Sequence, residues 1–267
     1  MKKQDLFKLA RNPKLISGIY NYCDRWCERC PFTDRCLNYA MEQEENRQSG
    51  GSPKDQAAFW KRFEDSLKLT REMVHDMAKE RGITFDPAEL EEIGRQEERK
   101  RRAAEKHPLA RAGMNYIRMV DRWFKTGEAV LKEKEEEILV QAKLGVGGVN
   151  EEVASLTDAV EIVRWYQHQI YVKLMRGLDA DKEYEATSEF PKDSDGSAKV
   201  ALIAMDRSIL AWLRLKEFFP DRTDSILTLL VHLDRLRRAA EKEFPKARAF
   251  VRPGFDTVES ARPKRRN

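Results

Sequence analysis

Cysteine is absent from this chain except in one short stretch. Only four of the 267 residues are cysteines, and all lie in this stretch: Cys23, Cys27, Cys30 and Cys36. The start of the chain interrupts its apolar residues with charges before the hydrophobic region of a secretory signal can form. We therefore expect a reducing, cytoplasmic setting in which these thiols serve as metal ligands rather than forming disulfides.

Long apolar runs and alternating apolar–polar segments are also missing. No stretch is long and apolar enough to span a membrane, and no period-two pattern is long enough to predict a β-strand. Apolar residues instead recur at helical spacing through most of the chain. The sequence therefore predicts an all-α protein without a membrane span.

Glycine, proline and serine mark the predicted domain boundaries. Residues 1–50 form a four-cysteine metal-binding segment, residues 53–244 a helical bundle, and residues 245–267 a basic tail that we expect to be disordered. The bundle should contain about four long core helices, arranged up-down-up-down, and one flanking helix. The flanking helix is predicted over 52–81, and the core helices over 108–144, 150–177, 197–219 and from 223 onward.

The cysteines are separated by three, two and five residues, so four thiolates can reach one metal centre. Structural zinc sites usually use two CxxC pairs joined by a longer loop. Here only Cys27 and Cys30 form such a pair. A compact loop with unequal gaps, and with Pro31 directly after Cys30, favours a [4Fe–4S] cluster, whose irons accept thiolates at separated corners. Zinc remains the alternative.

The segment from Cys27 to Cys36 resembles the end of the [4Fe–4S] loop of adenine DNA glycosylases. Both have gaps of two and five residues and a proline after the middle cysteine. The first gap is three residues here and six in that family, and the glycine-rich residues 144–148 do not form its helix-hairpin-helix. The resemblance therefore implies the cluster but not glycosylase activity.

The first three cysteines also match the CxxxCxxC motif of radical-SAM enzymes. Those enzymes, however, leave one iron of the cluster free to bind their cofactor, whereas Cys36 offers this chain a fourth ligand. They also need a parallel α/β barrel, for which this sequence has no run of strands. A radical-SAM enzyme is therefore not predicted.

Helical bundles can hold a second type of metal site, a di-iron centre built from two Glu-x-x-His pairs. The chain has one such pair, Glu72 and His75, on a polar helix face, so a ferritin-like di-iron enzyme is not predicted. Several polar residues do interrupt apolar stripes, where a buried carboxylate needs a partner such as Arg164 or Arg207. They predict either a structural ion-pair network or a buried polar pocket formed by Asp121, Glu161, Arg164, His168 and Asp206.

The net charge of +4 conceals two basic ends, residues 1–36 and 245–267, around an acidic middle. Our first hypothesis is a cytoplasmic iron–sulfur protein that transfers electrons or senses redox state, with a redox or protein partner. The second is a non-enzymatic interaction protein in which a zinc or cluster knuckle is structural. In that hypothesis the basic ends contact nucleic acid or a protein partner. The sequence leaves open whether the protein is an enzyme.

Overall fold

The computed structural model describes residues 3–48, 56–145, 147–180 and 192–256. Within these ranges the chain forms nine α-helices and short 3-10 turns, without a strand. The predicted all-α class is therefore confirmed. No helix in these ranges has both the length and the apolar composition needed to cross a membrane. The helices are α1 Lys3–Ala10, α2 Leu37–Gln48, α3 Gln56–Glu80, α4 Pro87–Lys106, α5 Pro108–Thr126, α6 Glu128–Lys143, α7 Val149–Leu178, α8 Asp193–Phe218 and α9 Thr223–Glu243.

The chain divides into two compact units. Unit 1 comprises Met1–Glu97 together with Val251–Asn267, and unit 2 comprises Glu98–Phe250. The boundary between them falls inside α4. Residues 49–55 lie outside the described ranges, so a separate domain ending at residue 50 stays a prediction.

The core of unit 2 is a four-helix bundle of α5, α7, α8 and α9, in which α7 packs against α5 and α8, and α9 against the same two helices. Neighbouring helices run in opposite directions. Gly113, near the start of α5, lies beside Tyr171, and Asp121, near its end, lies beside Arg164. This confirms the up-down-up-down arrangement. The other antiparallel pairs are fixed by Ser155 with Arg214, Arg176 with Asp193, Ala112 with His232, and Trp123 with Ser225.

Aromatic side chains fill the centre of the bundle. The Trp123 ring lies 5.0 Å from that of Trp212 and 5.8 Å from that of Phe219, both in edge-to-face geometry. The Trp212 Nε1–H donates to the Tyr116 hydroxyl over 2.9 Å. Burial raises the pKa of Tyr116 to about 12, although the Trp212 hydrogen bond opposes the shift. Aromatic pairs of this geometry stabilise a core beyond the area they bury.

One predicted helix, over 108–144, is in fact two. It is broken at Gly127, whose N–H bonds to the carbonyl of Trp123 and ends α5. A side chain at position 127 would overlap the guanidinium of Arg222, which also donates to Thr126 Oγ1 over 2.8 Å. The break therefore leaves room for an arginine from a distant part of the chain.

The amphipathic helix α3 is more exposed than its sequence predicts. Trp60 and Leu67, on the apolar stripe expected to face the bundle, are 57% and 56% exposed. The next helix, α4, has a side-chain cap at its start: the Asp86 carboxylate accepts the N–H of Ala88 over 2.8 Å. Because α3 belongs to unit 1, its predicted place beside the bundle stays a prediction.

Part of the predicted disordered tail has a defined structure. Phe244, Ala247 and Phe250 are buried in unit 2, around a 3-10 turn at Ala247–Ala249. These three side chains recur every three residues, which is the spacing of a 3-10 turn, and Phe250 supplies an aromatic anchor. Residues 251–256 are also described, as part of unit 1, whereas 257–267 lie outside the described ranges.

Candidate metal centre

Two short turns place two of the cysteines in equivalent positions. The 3-10 turns Cys27–Arg29 and Thr33–Arg35 are each followed by a cysteine in extended conformation, Cys30 and Cys36. In both turns the cysteine N–H bonds to the carbonyl three residues earlier, over 3.2 and 3.3 Å. The local sequence repeats as well, with an acidic residue and an arginine before each cysteine. The same backbone geometry is therefore used twice.

The other end of the loop turns sharply between Cys23 and Cys27. Arg25 has a φ of 59°, the only positive φ outside glycine in the described ranges. The Asp24 carboxylate accepts the N–H of Trp26 over 3.3 Å, which stabilises this turn. A non-glycine residue in left-handed conformation is strained, and such residues cluster at functional sites.

All four cysteines line one narrow cavity of about 20 Å³, close to the space one water molecule needs. Its other lining residues are mainly aromatic or apolar. Ile19 and Trp26 are buried, and the Arg29 guanidinium lies 4.0 Å from the Trp26 ring centre. The predicted ligands are therefore brought together from three separate turns. The remaining lining residues are Tyr20, Asp24, Arg25, Thr33, Tyr39 and Phe255.

The thiols also affect one another electrostatically. Burial raises the pKa of Cys27, and the nearby thiols of Cys23, Cys36 and Cys30, together with the Glu42 carboxylate, raise it further. Burial likewise raises the pKa of Cys30, with Cys23 and Cys36 again contributing. A bound cation reverses this balance, since metal ligation requires thiolates.

The donor set fits a thiolate-bound metal, but the sulfurs do not form a closed site. In the described ranges, no three or more His, Cys, Asp or Glu side chains are arranged to hold a metal ion. In a tetrahedral zinc site, Zn–S bonds of about 2.3 Å place the sulfurs about 3.8 Å apart. The four sulfurs would therefore have to shift to close around either a zinc ion or a cluster.

Residues from the far end of the chain close the cavity. Phe255 lines it and meets Phe32 edge-to-face at 5.1 Å. Gly254, at a φ of +75°, packs so closely that an added Cβ would lie 2.9 Å from both Ile16 and Ile19. Sequence reasoning missed Phe255. The signal was the turn dipeptide Pro253-Gly254 followed by an aromatic residue.

The predicted polar pocket in unit 2 is not buried. Asp121 and Arg164 are 55% and 48% exposed, with their charged atoms 3.9 Å apart. Gln167 contacts both Asp121, over 3.5 Å, and His168, over 2.9 Å. Glu161 and His168 are exposed as well. The expectation of burial is wrong because these residues lie at the edge of the apolar stripe, where long polar side chains reach solvent.

The fifth residue of that set, Asp206, belongs to a different group. Its carboxylate bonds to Arg248 over 2.6 Å and to Arg237 over 3.3 Å. Neither Arg164 nor Arg207, the partners expected from sequence, is its ion-pair partner; Arg207 instead donates to the Tyr166 hydroxyl. Asp206 therefore belongs to a structural ion-pair network, which was the other interpretation of the sequence.

Comparison of the chain with known proteins identifies no relative. No protein family, characterised protein or solved structure matches the chain.

Proposed function

We propose that unit 1 holds a [4Fe–4S] cluster on Cys23, Cys27, Cys30 and Cys36, and that this cluster transfers electrons or senses redox state. The observation that carries the proposal is that the four thiols line a single cavity. Four cysteine thiolates are the usual ligand set of such clusters. The cytoplasmic location expected from sequence belongs to this proposal.

The choice of a cluster over zinc rests on the loop. The chain has one CxxC pair with a single cysteine on either side, and Pro31 follows Cys30, as in cluster-binding loops. The surrounding aromatic and apolar side chains would exclude water from a cluster, and that exclusion is one of the factors that set its reduction potential.

The charges around the loop suit an anionic centre. Arg25, Arg29 and Arg35 are exposed on the same loop as the cysteines. Four thiolates with a cluster carry net negative charge, which these guanidinium groups offset. Glu28 and Asp34 are exposed on the same loop, so its side chains alone are charge-balanced and the arginines offset only part of the charge of a cluster.

Metal analysis of protein purified without oxygen tests the proposal. The expected sample is brown, absorbs broadly near about 400 nm, loses that absorbance on reduction, and contains iron and sulfide in equal amounts. A colourless sample with one zinc per chain would refute the cluster.

Zinc is the second candidate, and one observation favours it. The cavity, at about 20 Å³, is closer in size to a single ion than to a cluster. In this case the knuckle would be a rigid structural element of an interaction protein, and unit 1 would unfold when zinc is removed with a chelator.

A further inference from the structure

The outward face of α5 is basic over most of its length. Arg111, Arg118, Arg122 and Lys125 are all exposed and recur every three to seven residues, so they form one stripe opposite the buried face of the helix. The only acidic residue of α5, Asp121, lies outside the stripe and pairs with Arg164 of α7. The stripe therefore carries positive charge alone.

A groove lies beside this stripe, between α5 and α9, with a volume of about 600 Å³. Arg122 stands on its α5 side and Arg235 on its α9 side. The His232 ring is stacked on Tyr116, with Nε2 2.9 Å from the carbonyl of Ala112, so its orientation is fixed. The lining holds no carboxylate among the described residues. Its members are Asn115, Met119, Arg122, Leu227, Thr228, Val231, His232 and Arg235.

The two groove arginines lack acidic partners in the part of the chain that the structure describes. Within the described ranges neither Arg122 nor Arg235 forms an ion pair. Moreover, Arg118 and Arg122 are four residues apart, a spacing at which like charges repel. Arg111 and Arg118 of the stripe likewise form no ion pair among the described residues, whereas Arg214, Arg237 and Arg238 each pair with a carboxylate.

We propose that this groove and stripe bind the phosphate backbone of a single nucleic-acid strand. A guanidinium presents paired N–H donors that match phosphate oxygens, and Asn115, Thr228 and His232 add further polar contacts. The apolar walls at Leu227 and Val231, 43% and 49% exposed, offer surface to unpaired bases. Such sequence-independent binding combines a basic groove with apolar contact to bases.

The length of the stripe favours a strand over a small phosphate ligand. At a rise of about 1.5 Å per residue, Arg111 and Lys125 are about 21 Å apart along the helix axis. That distance covers several nucleotides, since phosphates along one strand of a duplex are about 3.4 Å apart in axial rise and those of an extended strand lie further apart. A mononucleotide would reach the groove arginines but not the rest of the stripe.

A double variant of the full chain, Arg122→Gln with Arg235→Gln, tests this inference. Binding to a labelled single-stranded DNA of about 16 nucleotides is followed by fluorescence anisotropy over a range of salt concentrations. Each phosphate contact contributes about 0.7 to the slope of log K against log salt for single strands. The variant should therefore lower the magnitude of the slope by about 1.4 and bind several-fold more weakly at low salt.

The matched control is Arg214→Gln with Arg238→Gln, which changes the net charge equally. Arg214 and Arg238 are exposed and paired with Glu217 and Asp234, so this variant should retain nearly the full slope. Circular dichroism confirms that both variants are folded. The proposal concerns unit 2 alone, so metal content measured on the same samples should not change.

Four results would overturn the proposal. The first is that the unmodified protein does not bind the oligonucleotide, and the second is that the control variant loses as much salt dependence as the groove variant. The third is that a mononucleotide binds as tightly as the oligonucleotide. The fourth is that the groove variant binds the oligonucleotide normally and loses binding only to anionic lipid vesicles. The third would identify a small-molecule site, and the fourth a membrane surface. If only deletion of residues 262–267 lowered the slope, nucleic-acid binding would belong to the basic tail instead.

Discussion

At the scale of single residues, Cys36 gives the most direct test of the proposed centre. Cys36→Ser should lose the metal, because a hydroxyl is a much weaker ligand than a thiolate, while the helical content of unit 2 is retained. The measurement is metal per chain, with far-ultraviolet circular dichroism as the folding check.

The control for Cys36→Ser is Thr33→Ala. Thr33 lines the same cavity, at the position in its turn that Cys27 occupies in the other turn. This variant should keep its metal. A Cys36→Ser protein with unchanged metal content and stability would contradict four-cysteine ligation.

A second residue-scale prediction concerns two glycines of unit 1. Gly254→Ala should destabilise unit 1 by about 1–3 kcal/mol more than Gly82→Ala. Both glycines have positive φ, +75° and +66°, so the backbone strain that an alanine would introduce is similar at the two positions. Only at Gly254 would the new Cβ meet other atoms, those of Ile16 and Ile19. Urea unfolding of the two variants gives the difference, and equal losses would show that the close packing is unimportant.

The cysteines were predictable from sequence because all four ligands lie within one short segment. Phe255 was not, because its place beside Phe32 depends on tertiary packing that no local pattern encodes. Asp206 shows another limit: helical spacing places it on an apolar stripe, but its partners Arg237 and Arg248 come from segments whose proximity only the fold defines.

At the scale of helices, the start of α4 follows from a local signal, the cap at Asp86, and α9 begins at residue 223 as predicted, although no described side chain caps it. The break after Thr126 does not follow from such a signal. A glycine within a helical pattern is often tolerated, so Gly127 alone did not predict an end. The side chain that occupies the space beside it, Arg222, is 96 residues away from Thr126 in sequence.

The contact between α5 and α8 predicts a measurable pH dependence. Tyr116→Phe should lower the unfolding free energy at neutral pH by about 1–3 kcal/mol, because the buried Trp212 N–H loses its acceptor. Folding raises the pKa of Tyr116 to about 12 from its usual 10. The neutral hydroxyl therefore adds stability that is present in full below pH 10 and is lost as the pH rises through 12.

Stability curves of the two proteins between pH 9 and 12 test this prediction. The unmodified protein should lose stability more steeply than Tyr116→Phe above pH 10, since the phenylalanine variant lacks the titrating group. All other tyrosines, lysines and cysteines are common to both and cancel in the comparison. Parallel curves would show that the hydroxyl is not buried.

At the scale of the molecule, the two units predict the effect of shortening the chain. Removal of residues 251–267 takes Phe255 and Gly254 from unit 1, so the proposed centre should lose its metal several-fold faster in air. Unit 2 keeps its bundle and should keep its unfolding transition. The matched control removes only 257–267, which leaves Phe255 in place and should behave like the full chain.

Similar rates of metal loss in the two shortened proteins would show that residues 251–256 do not protect the site. Loss of the bundle transition in the longer deletion would show that unit 2 depends on those residues. The four-helix organisation was predictable because apolar periodicity reports directly on helix packing. The composition of unit 1 was not, since it joins segments from both ends of the chain.

The place of Phe255 in the chain has a consequence for biosynthesis. Cys36 leaves the ribosome early, but the aromatic residue that closes its cavity follows 219 residues later. At about 5–20 residues per second, the thiols stay uncovered for roughly 10–40 seconds of translation. During that interval a metal donor can reach them freely, and so can oxidants. The order of synthesis thus lets a metal reach the thiols before Phe255 is in place beside them.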